Sequence, residues 1–297
     1  MPLAEKQTMF SPEETEECRR LATVALEEDL GDAGDLTSDV LIPAERIGAA
    51  VLVGRQPGVL AGLQAAELTF ALVDPTLMFE AVSSDGSLLR PGDRLAVISG
   101  KACSILRGER TALNFLQHLS GIATLTRRYV DAVAGLSCQI LDTRKTLPGW
   151  RMLAKYAVRQ GGGHNHRMGL YDGILIKDNH LAALADRADP IGEAVRLARE
   201  KHGTSVPLEI EVDTLAQLEF ALKAKPDIIL LDNMPPSDLR QAVRRRNEVA
   251  PGVLLESSGG ITLDTLRALA ETGIDRISIG ALTHSAPALD IGLDYLP

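Results

Sequence analysis

The sequence predicts an α/β protein in two parts: a small N-terminal α+β domain of antiparallel strands with helices on one face, then a parallel α/β barrel. Three observations carry this. From about Leu41 to Gly100, short apolar runs such as "GAAVLVGRQPGVLAG", "TLMFEAVSSDGS" and "RPGDRLAVISG" are cut by turn residues, with one helical segment, "LQAAELTFALVD", among them. After Gly135, strand-length apolar runs alternate with helical stretches, the rhythm of parallel βαβ units. No Gly-rich dinucleotide fingerprint follows any of these strands, which favours a barrel over a doubly wound sheet.

The elements follow in order. "SPEETEECRRLATVALEEDLG" reads as a helix with Ser11 as N-cap, Pro12 at the first helical position, acids in the first turn and Gly31 past the end. "ERTALNFLQHLSGIATLTRRYVDAVAG" gives an amphipathic pattern from Glu109 to about Ala134, broken at Gly121. The strand runs are "CQILDT", "GILIKD", "LEIEVD", "IILLD", "VLLESS" and "RISIG". Helices between them are "IGEAVRLAREKHG", "TLAQLEFALKAK", "PSDLRQAVRRRNEVA" and "TLDTLRALAETG". Six strands fall short of the eight of a full barrel, so either the barrel is incomplete or strands are hidden in the pattern.

Composition excludes several classes. The 297 residues carry 31 Lys+Arg against 40 Asp+Glu, a net charge of -9, which argues against a nucleic-acid or membrane-surface partner needing a basic footprint. No apolar run approaches the roughly 20 residues of a membrane helix. The polar, acidic start "MPLAEKQTMFSPEETEECRR" shows no secretory signal. Cys18, Cys103 and Cys138 are scattered and odd in number, which reads as reduced structural thiols of a cytoplasmic protein.

Charge collects where the strand runs end. "QILDT" leads into Arg144 and Lys145, "GILI" into Lys177, "IILL" into Asp232, "VLLE" into Ser257-Ser258-Gly259-Gly260, and "RISI" into Gly280-Ala281. Ligand sites of parallel α/β architectures lie at these carboxyl ends. In "LEIEVD", alternation puts Glu209, Glu211 and Asp213 on one face and Leu208, Ile210 and Val212 on the other. The apolar face should meet the helix layer, so the acids point into the barrel, where an unpaired charge is costly. Glu211 with Asp232 could hold Mg²⁺ through few carboxylates plus phosphates and water; equally, the acids could pair with Lys145 or Lys177.

Between Asp142 and His180 there are seven Lys/Arg against three Asp, leaving 24 Lys/Arg against 37 Asp/Glu elsewhere. Such an electropositive island suits a small, highly charged anion, with Arg144 and Arg167 as bidentate clamps. Arg151, Lys155 and Arg159 read as a solvated helix face. His164 and His166 have no further His or Cys at ligand spacing, so zinc is disfavoured; one hydrogen-bonds an anionic substrate and the other is structural. "ESSGGIT" before a helix and "SIGALT" at the next strand end offer glycine amides to a phosphate. Together these describe an enzyme acting on a phosphorylated sugar and a small carboxylated acceptor.

The stretches "ERTALNFLQHLSGIAT", "LDTRKTLPGWR", "GGGHNHRMGLYDGILIKDNH", "EIEVDT", "LLDN" and "ESSGGI" resemble the quinolinate phosphoribosyltransferase family over nearly the whole chain. The resemblance implies an N-terminal α/β open sandwich domain over 1–117, joined by the tail 285–297, plus an incomplete parallel α/β barrel over 118–284. It also implies transfer of phosphoribose from phosphoribosyl pyrophosphate to quinolinate with loss of CO₂, giving nicotinate mononucleotide. A homodimer is implied, in which Arg110 reaches the neighbouring site to bind a quinolinate carboxylate. Arg144, Lys145, His166, Arg167 and Lys177 would line the same pocket. Glu211 and Asp232 would hold ribose hydroxyls or Mg²⁺, directly or through water or substrate, and with Lys145 and Lys177 would be the catalytic residues. Ser258, Gly259, Gly260, Gly280 and Ala281 would take the 5-phosphate. Rivals are a phosphoribosyl-transferring relative with another acceptor, a Schiff-base aldolase using Lys177, and a ligand-binding module without activity.

Overall fold

The computed structural model describes residues 9–296. Residues 1–8, which hold much of the polar N-terminal stretch, and Pro297 at the end of the tail lie outside the described residues. The chain divides into two compact units.

The first unit takes the described residues up to Arg127, Leu147–Gly162, and the tail from Leu282. Its elements are α1 (Pro12–Leu30), α2 (Leu36–Leu41), β1 (Ile47–Gly54), β2 (Gly58–Val59), α3 (Leu63–Val73), β3 (Met78–Ala81), β4 (Leu88–Leu89), β5 (Arg94–Lys101) and most of α4 (Ala102–Ala132). α1 starts where the sequence says it should: Ser11 accepts from the Glu14 amide and Glu14 returns a bond to Ser11, with Pro12 at the first helical position. The main sheet is antiparallel in the order β12-β1-β5-β3, with β12 (Ile291–Leu296) supplied by the C-terminal tail. Leu52, Leu95 and Ile98 of this sheet pack with Leu60, Phe70, Ile105 and Leu116 in one apolar core.

Two expectations are corrected here. α4 runs unbroken through Gly121 for 31 residues. Its glycine is there for contact: a Cβ at Gly121 would stand 2.2 Å from the carbonyl oxygen of Pro287, so the tail backbone passes against the helix where only hydrogen fits. And Lys155 is not on a solvated face. It is 0% exposed on α5 (Arg151–Gln160), a helix that also buries Tyr156 and Val158 and packs on α1. Arg159 of the same helix pairs with Glu14 at 2.6 Å.

The second unit holds Arg128–Thr146 and Gly163–Ala281. By contacts, α4 carries the first unit to Arg127, and the segment around α5 belongs to the first unit. Its strands are β6 (Gln139–Leu141), β7 (Ile174–Ile176), β8 (Leu208–Val212), β9 (Ile228–Asp232), β10 (Leu254–Ser258) and β11 (Arg276–Ser278), which are the six read from the sequence. Helices α6 (Asp178–Ala182), α7 (Pro190–His202), α8 (Leu215–Ala224), α9 (Pro236–Val249) and α10 (Leu263–Ala270) connect them; α11 (Ala281–His284) follows β11.

All pairings are parallel, in the order β6-β11-β10-β9-β8-β7. That order is cyclic. Each strand pairs with its neighbour in sequence, the last pairs with the first, and only the β6–β7 seam lacks a ladder. The sheet therefore has the connectivity of a barrel left open at one seam, into which a single parallel bridge from Leu141 to His164 intrudes. Leu208, Ile210 and Val212 are all fully buried, so the apolar side of β8 faces the helix layer as its alternation requires.

Candidate active site

Because every strand of the second unit points the same way, the six carboxyl ends converge on one rim. Arg144 and Lys145 follow β6, Lys177 follows β7, Glu211 is the penultimate residue of β8, Asp232 ends β9, Ser258 ends β10, and Gly280 and Ala281 follow β11. Acids and cations meet there. Lys177 Nζ lies 2.5 Å from Glu211 Oε2, so the salt-bridge partner of the inward acid is Lys177, while Lys145 is exposed. Burial, and next the positive charge of Arg144, hold the Arg167 guanidinium below its ordinary pKa. Two guanidiniums close enough to oppose one another are stabilised together by an anion between them.

On the β9–β10 side the backbone is built for close approach. Asp232 and Ser258 are register partners, and the Asn233 amide donates to the Ser258 carbonyl at 2.9 Å. Asn233 takes φ 52° and its side-chain amide donates to Asp232 Oδ2 at 2.7 Å. Gly259 has φ +98°, and a Cβ there would stand 2.1 Å from Asn233 Oδ1; Gly260 has φ +58° and opens on clear space. These two glycines lead to Thr262, the N-cap of α10, whose side chain and that of Thr265 form a reciprocal cap. Glycine amides ahead of a helix start suit a phosphate.

Below the rim lies a cluster that sequence spacing did not assemble. The fully buried Asp142 accepts from Asn165 Nδ2 at 2.6 Å and from the His166 amide at 2.9 Å. His166 Nδ1 accepts the Arg167 amide at 2.8 Å. Its Nε2 lies 2.9 Å from Glu209 Oε2 and 3.5 Å from Glu256 Oε1, and Arg276 Nε lies 3.2 Å from Glu256 Oε2. Burial, then the neighbouring Glu209 carboxylate, push Glu256 up to about 7, so near neutrality the acid pair retains a proton. His164, by contrast, is exposed, so the two histidines of "HNH" do not converge.

One donor atom each from His166, Glu209 and Glu256 lie within 4.8 Å of one another. A metal on Nε2 would need the ring proton on Nδ1, where a metal-bound histidine normally donates to an acceptor. Here Nδ1 faces a backbone N–H, so the chemistry of the donor set does not suit a cation. A cavity of about 390 Å³ adjoins this cluster, lined by His166, Arg167, Glu209 and Arg276 together with Ile174, Pro207 and Ile228. Those last residues sit at the amino ends of the strands, so the cavity opens on the side away from the rim.

Glu209 was placed inward by the alternation of "LEIEVD"; the same rule applied to "VLLESS" puts Glu256 on the side of Ser258. Arg276, Asn233 and Asp142 gave no signal, being single residues at run ends. Arg110 lies exposed on α4 in the first unit. The three cysteines are free and buried, with Cys18 and Cys138 pushed by burial to about 12, which fits structural thiols. Among the described residues no helix is long and apolar enough to cross a membrane.

Comparison with known proteins bears on this arrangement. Residues 35–120 match the family model described as quinolinate phosphoribosyl transferase, N-terminal domain, and residues 122–294 match its C-terminal domain. A nicotinate-nucleotide pyrophosphorylase [carboxylating] of Mycobacterium leprae is 46% identical over 96% of this chain and 100% of its own. A quinolinate phosphoribosyltransferase [decarboxylating] of Nicotiana glauca is 40% identical over 94% of this chain and 82% of its own. The solved nicotinate-nucleotide pyrophosphorylase of Francisella tularensis superposes with a TM-score of 0.89 at 36% identity, covering 98% of this chain and 99% of that one. With both domain models matched end to end and the rim chemistry in place, the chain belongs to the quinolinate phosphoribosyltransferase family.

Proposed function

We infer that this protein forms nicotinate mononucleotide, CO₂ and pyrophosphate from quinolinate and phosphoribosyl pyrophosphate, a step of NAD biosynthesis. It is a decarboxylating phosphoribosyltransferase. The single observation that carries this reading is the strand-end rim, where the Lys177–Glu211 ion pair, Asp232 and the Gly259-Gly260 turn follow parallel strands.

The roles of the residues are our proposal. Arg144, Arg167, Lys177 and Lys145 receive the two quinolinate carboxylates, and forked guanidinium contacts fix the ring plane. Ser258, Gly259, Gly260, Gly280 and Ala281 receive the 5-phosphate, and Glu211 and Asp232 face the ribose. With both substrates placed, the pyridine nitrogen pair attacks ribose C1 as the C1–O bond to pyrophosphate breaks, and positioning supplies much of the rate. Negative charge on Glu211 and Asp232 stabilises the positive charge that develops at C1. The pyridinium then accepts the electron pair of the breaking bond between C2 and its carboxylate, and C2 takes up a proton. Mg²⁺, where bound, would neutralise charge on the departing pyrophosphate. Glu211 and Asp232 would hold it together with substrate phosphates, as suits an ion that rarely uses a protein-only cage.

Purified protein should convert quinolinate but hardly nicotinate, because one carboxylate leaves part of the cationic pocket unpaired. Turnover measured with and without Mg²⁺ tests both parts. Comparable use of nicotinate would overturn the acceptor assignment, tight quinolinate binding without product would indicate a binding module, and unchanged rates under chelation would remove the metal.

We also propose a homodimer in which Arg110 serves the neighbouring site. Leu36 at 68%, Val40 at 82% and Leu41 at 73% exposure give the first unit an apolar surface of the kind that pairs. Mixing and refolding Arg110→Ala with Arg144→Ala, each impaired alone at low quinolinate, should regain part of the wild-type activity; no recovery in a mixed dimer refutes shared sites. Residence in the cytoplasm accords with the reduced thiols, and cell fractionation placing the protein elsewhere would overturn it.

A further inference from the structure

We propose that Glu209 is a positioning residue for the acceptor carboxylate, acting on Arg167 by fixing which nitrogen of His166 carries the proton. The proposal rests on the reading of Arg167 as a carboxylate clamp, but its core is a statement about hydrogen positions that can be tested without substrate.

Arg167 is the residue after His166, and its amide donates to Nδ1 of that ring at 2.8 Å. Nδ1 is therefore an acceptor, and the proton of the neutral ring is on Nε2. If the proton moved to Nδ1, two N–H groups would point at each other and the Arg167 amide would have to swing away. A free imidazole has no strong reason to choose the required form. Glu209 supplies one: its Oε2 is 2.9 Å from Nε2, and a carboxylate acceptor holds an N–H in place. Glu256 cannot serve equally, since it is farther away at 3.5 Å and lies against Arg276 at 3.2 Å.

The rest of the segment is immobilised in ways that make this choice matter. Asp142, itself buried, ties down the His166 amide and the Asn165 side chain at 2.9 and 2.6 Å. Beyond the ring, Arg167 Nη1 donates to the Gly173 carbonyl at 2.9 Å. A Cβ at Gly173 would stand 3.2 Å from Arg167 Cβ, so the absent side chain leaves the arginine stem its path. Successive amides at 166 and 167 are thus held by Asp142 and by His166, and the guanidinium is aimed from a backbone with little freedom. Glu209 is 4% exposed and its Oε1 has no hydrogen-bond partner. A carboxylate so buried is costly to keep, which fits a positioning duty better than a stabilising one.

The test replaces Glu209 by leucine, which offers no acceptor, and by glutamine, whose carbonyl oxygen can still accept from Nε2. Glu209→Leu should raise KM for quinolinate roughly ten- to hundred-fold through displacement of the arginine. KM for phosphoribosyl pyrophosphate should change by less than about three-fold, the change expected when a side chain with no contact to that substrate is lost. Glu209→Gln should lie near wild type. In a His166→Asn background, where an amide oxygen can take the Arg167 N–H unaided, Glu209→Leu should add little, because the two residues act as one unit. The substrate-free readout is ¹⁵N NMR of the His166 ring: Nε2–H in the wild type and the glutamine variant, a mixture in the leucine variant. Nδ1–H in the wild type, or equal losses for both substrates, overturns the proposal. Absence of quinolinate turnover by the wild type would sink the functional reading while leaving the ring measurement valid.

Discussion

Replacing Arg144 by alanine should raise KM for quinolinate by about a hundred-fold or more while changing KM for phosphoribosyl pyrophosphate by less than about three-fold, since truncating one partner of a desolvated charge pair costs about 2–5 kcal/mol. After burial, the positive charge of Arg144 lowers the proton affinity of Arg167, so a carboxylate bound by both is held by two cations. With one gone, a carboxylate enters the pocket with half its partners and pays its full desolvation. Steady-state kinetics with each substrate varied in turn measures the split. Equal losses for both substrates would show that Arg144 shapes the rim and does not grip the acceptor.

Asp85→Ala should destabilise the first unit by about 3–5 kcal/mol, because each buried donor left without its acceptor costs about 1–3 kcal/mol. Asp85 is 5% exposed and accepts three bonds: from the Gly62 amide at 2.7 Å, the Leu63 amide at 3.1 Å and the Tyr156 hydroxyl at 2.7 Å. The two amides are donors at the start of α3, where Gly62 as N-cap offers no side chain of its own. Tyr156 brings α5 into the same network and is itself fully buried, edge-on to Phe10 at 4.5 Å. Alanine would strand all three donors at once. Denaturant unfolding should show the lowered midpoint, and Tyr156→Phe, which frees only one bond, should cost about 1 kcal/mol. A near-neutral Asp85→Ala would mean that water satisfies these donors and that the aspartate is dispensable.

Much of this was legible in the chain. Strand-length apolar runs between helical stretches gave all six parallel strands, because each is short and largely buried, so apolar residues cannot be spared there. Capping chemistry placed the start of α1 to the residue, since Ser11, Pro12 and Glu14 act on neighbours a few positions away. The acids and cations at the strand ends could be named because they interrupt apolar runs at positions where burial would otherwise penalise them.

What was not legible depends on partners remote in sequence. Gly121 reads as a helix breaker when only its own helix is considered; the Pro287 carbonyl, far along the chain, makes it a contact. Lys155 reads as solvated because its local pattern carries no sign that α5 returns to the first unit. Nothing in "HNHR" reveals that the His166 ring meets the Arg167 amide on one nitrogen and Glu209, from β8, on the other.

The sequence by itself determined the secondary structure of the parallel sheet, the family, and the identity of the groups at the strand ends, because these follow from periods and side chains within one short segment. Only the tertiary structure decided the open β6–β7 seam, the partnership of Lys177 with Glu211, and the stack from Asp142 through His166 to Glu209. Each of those joins strands tens of residues apart, and hydrogen-bond and charge energies depend on separations of a few ångströms that no local pattern encodes.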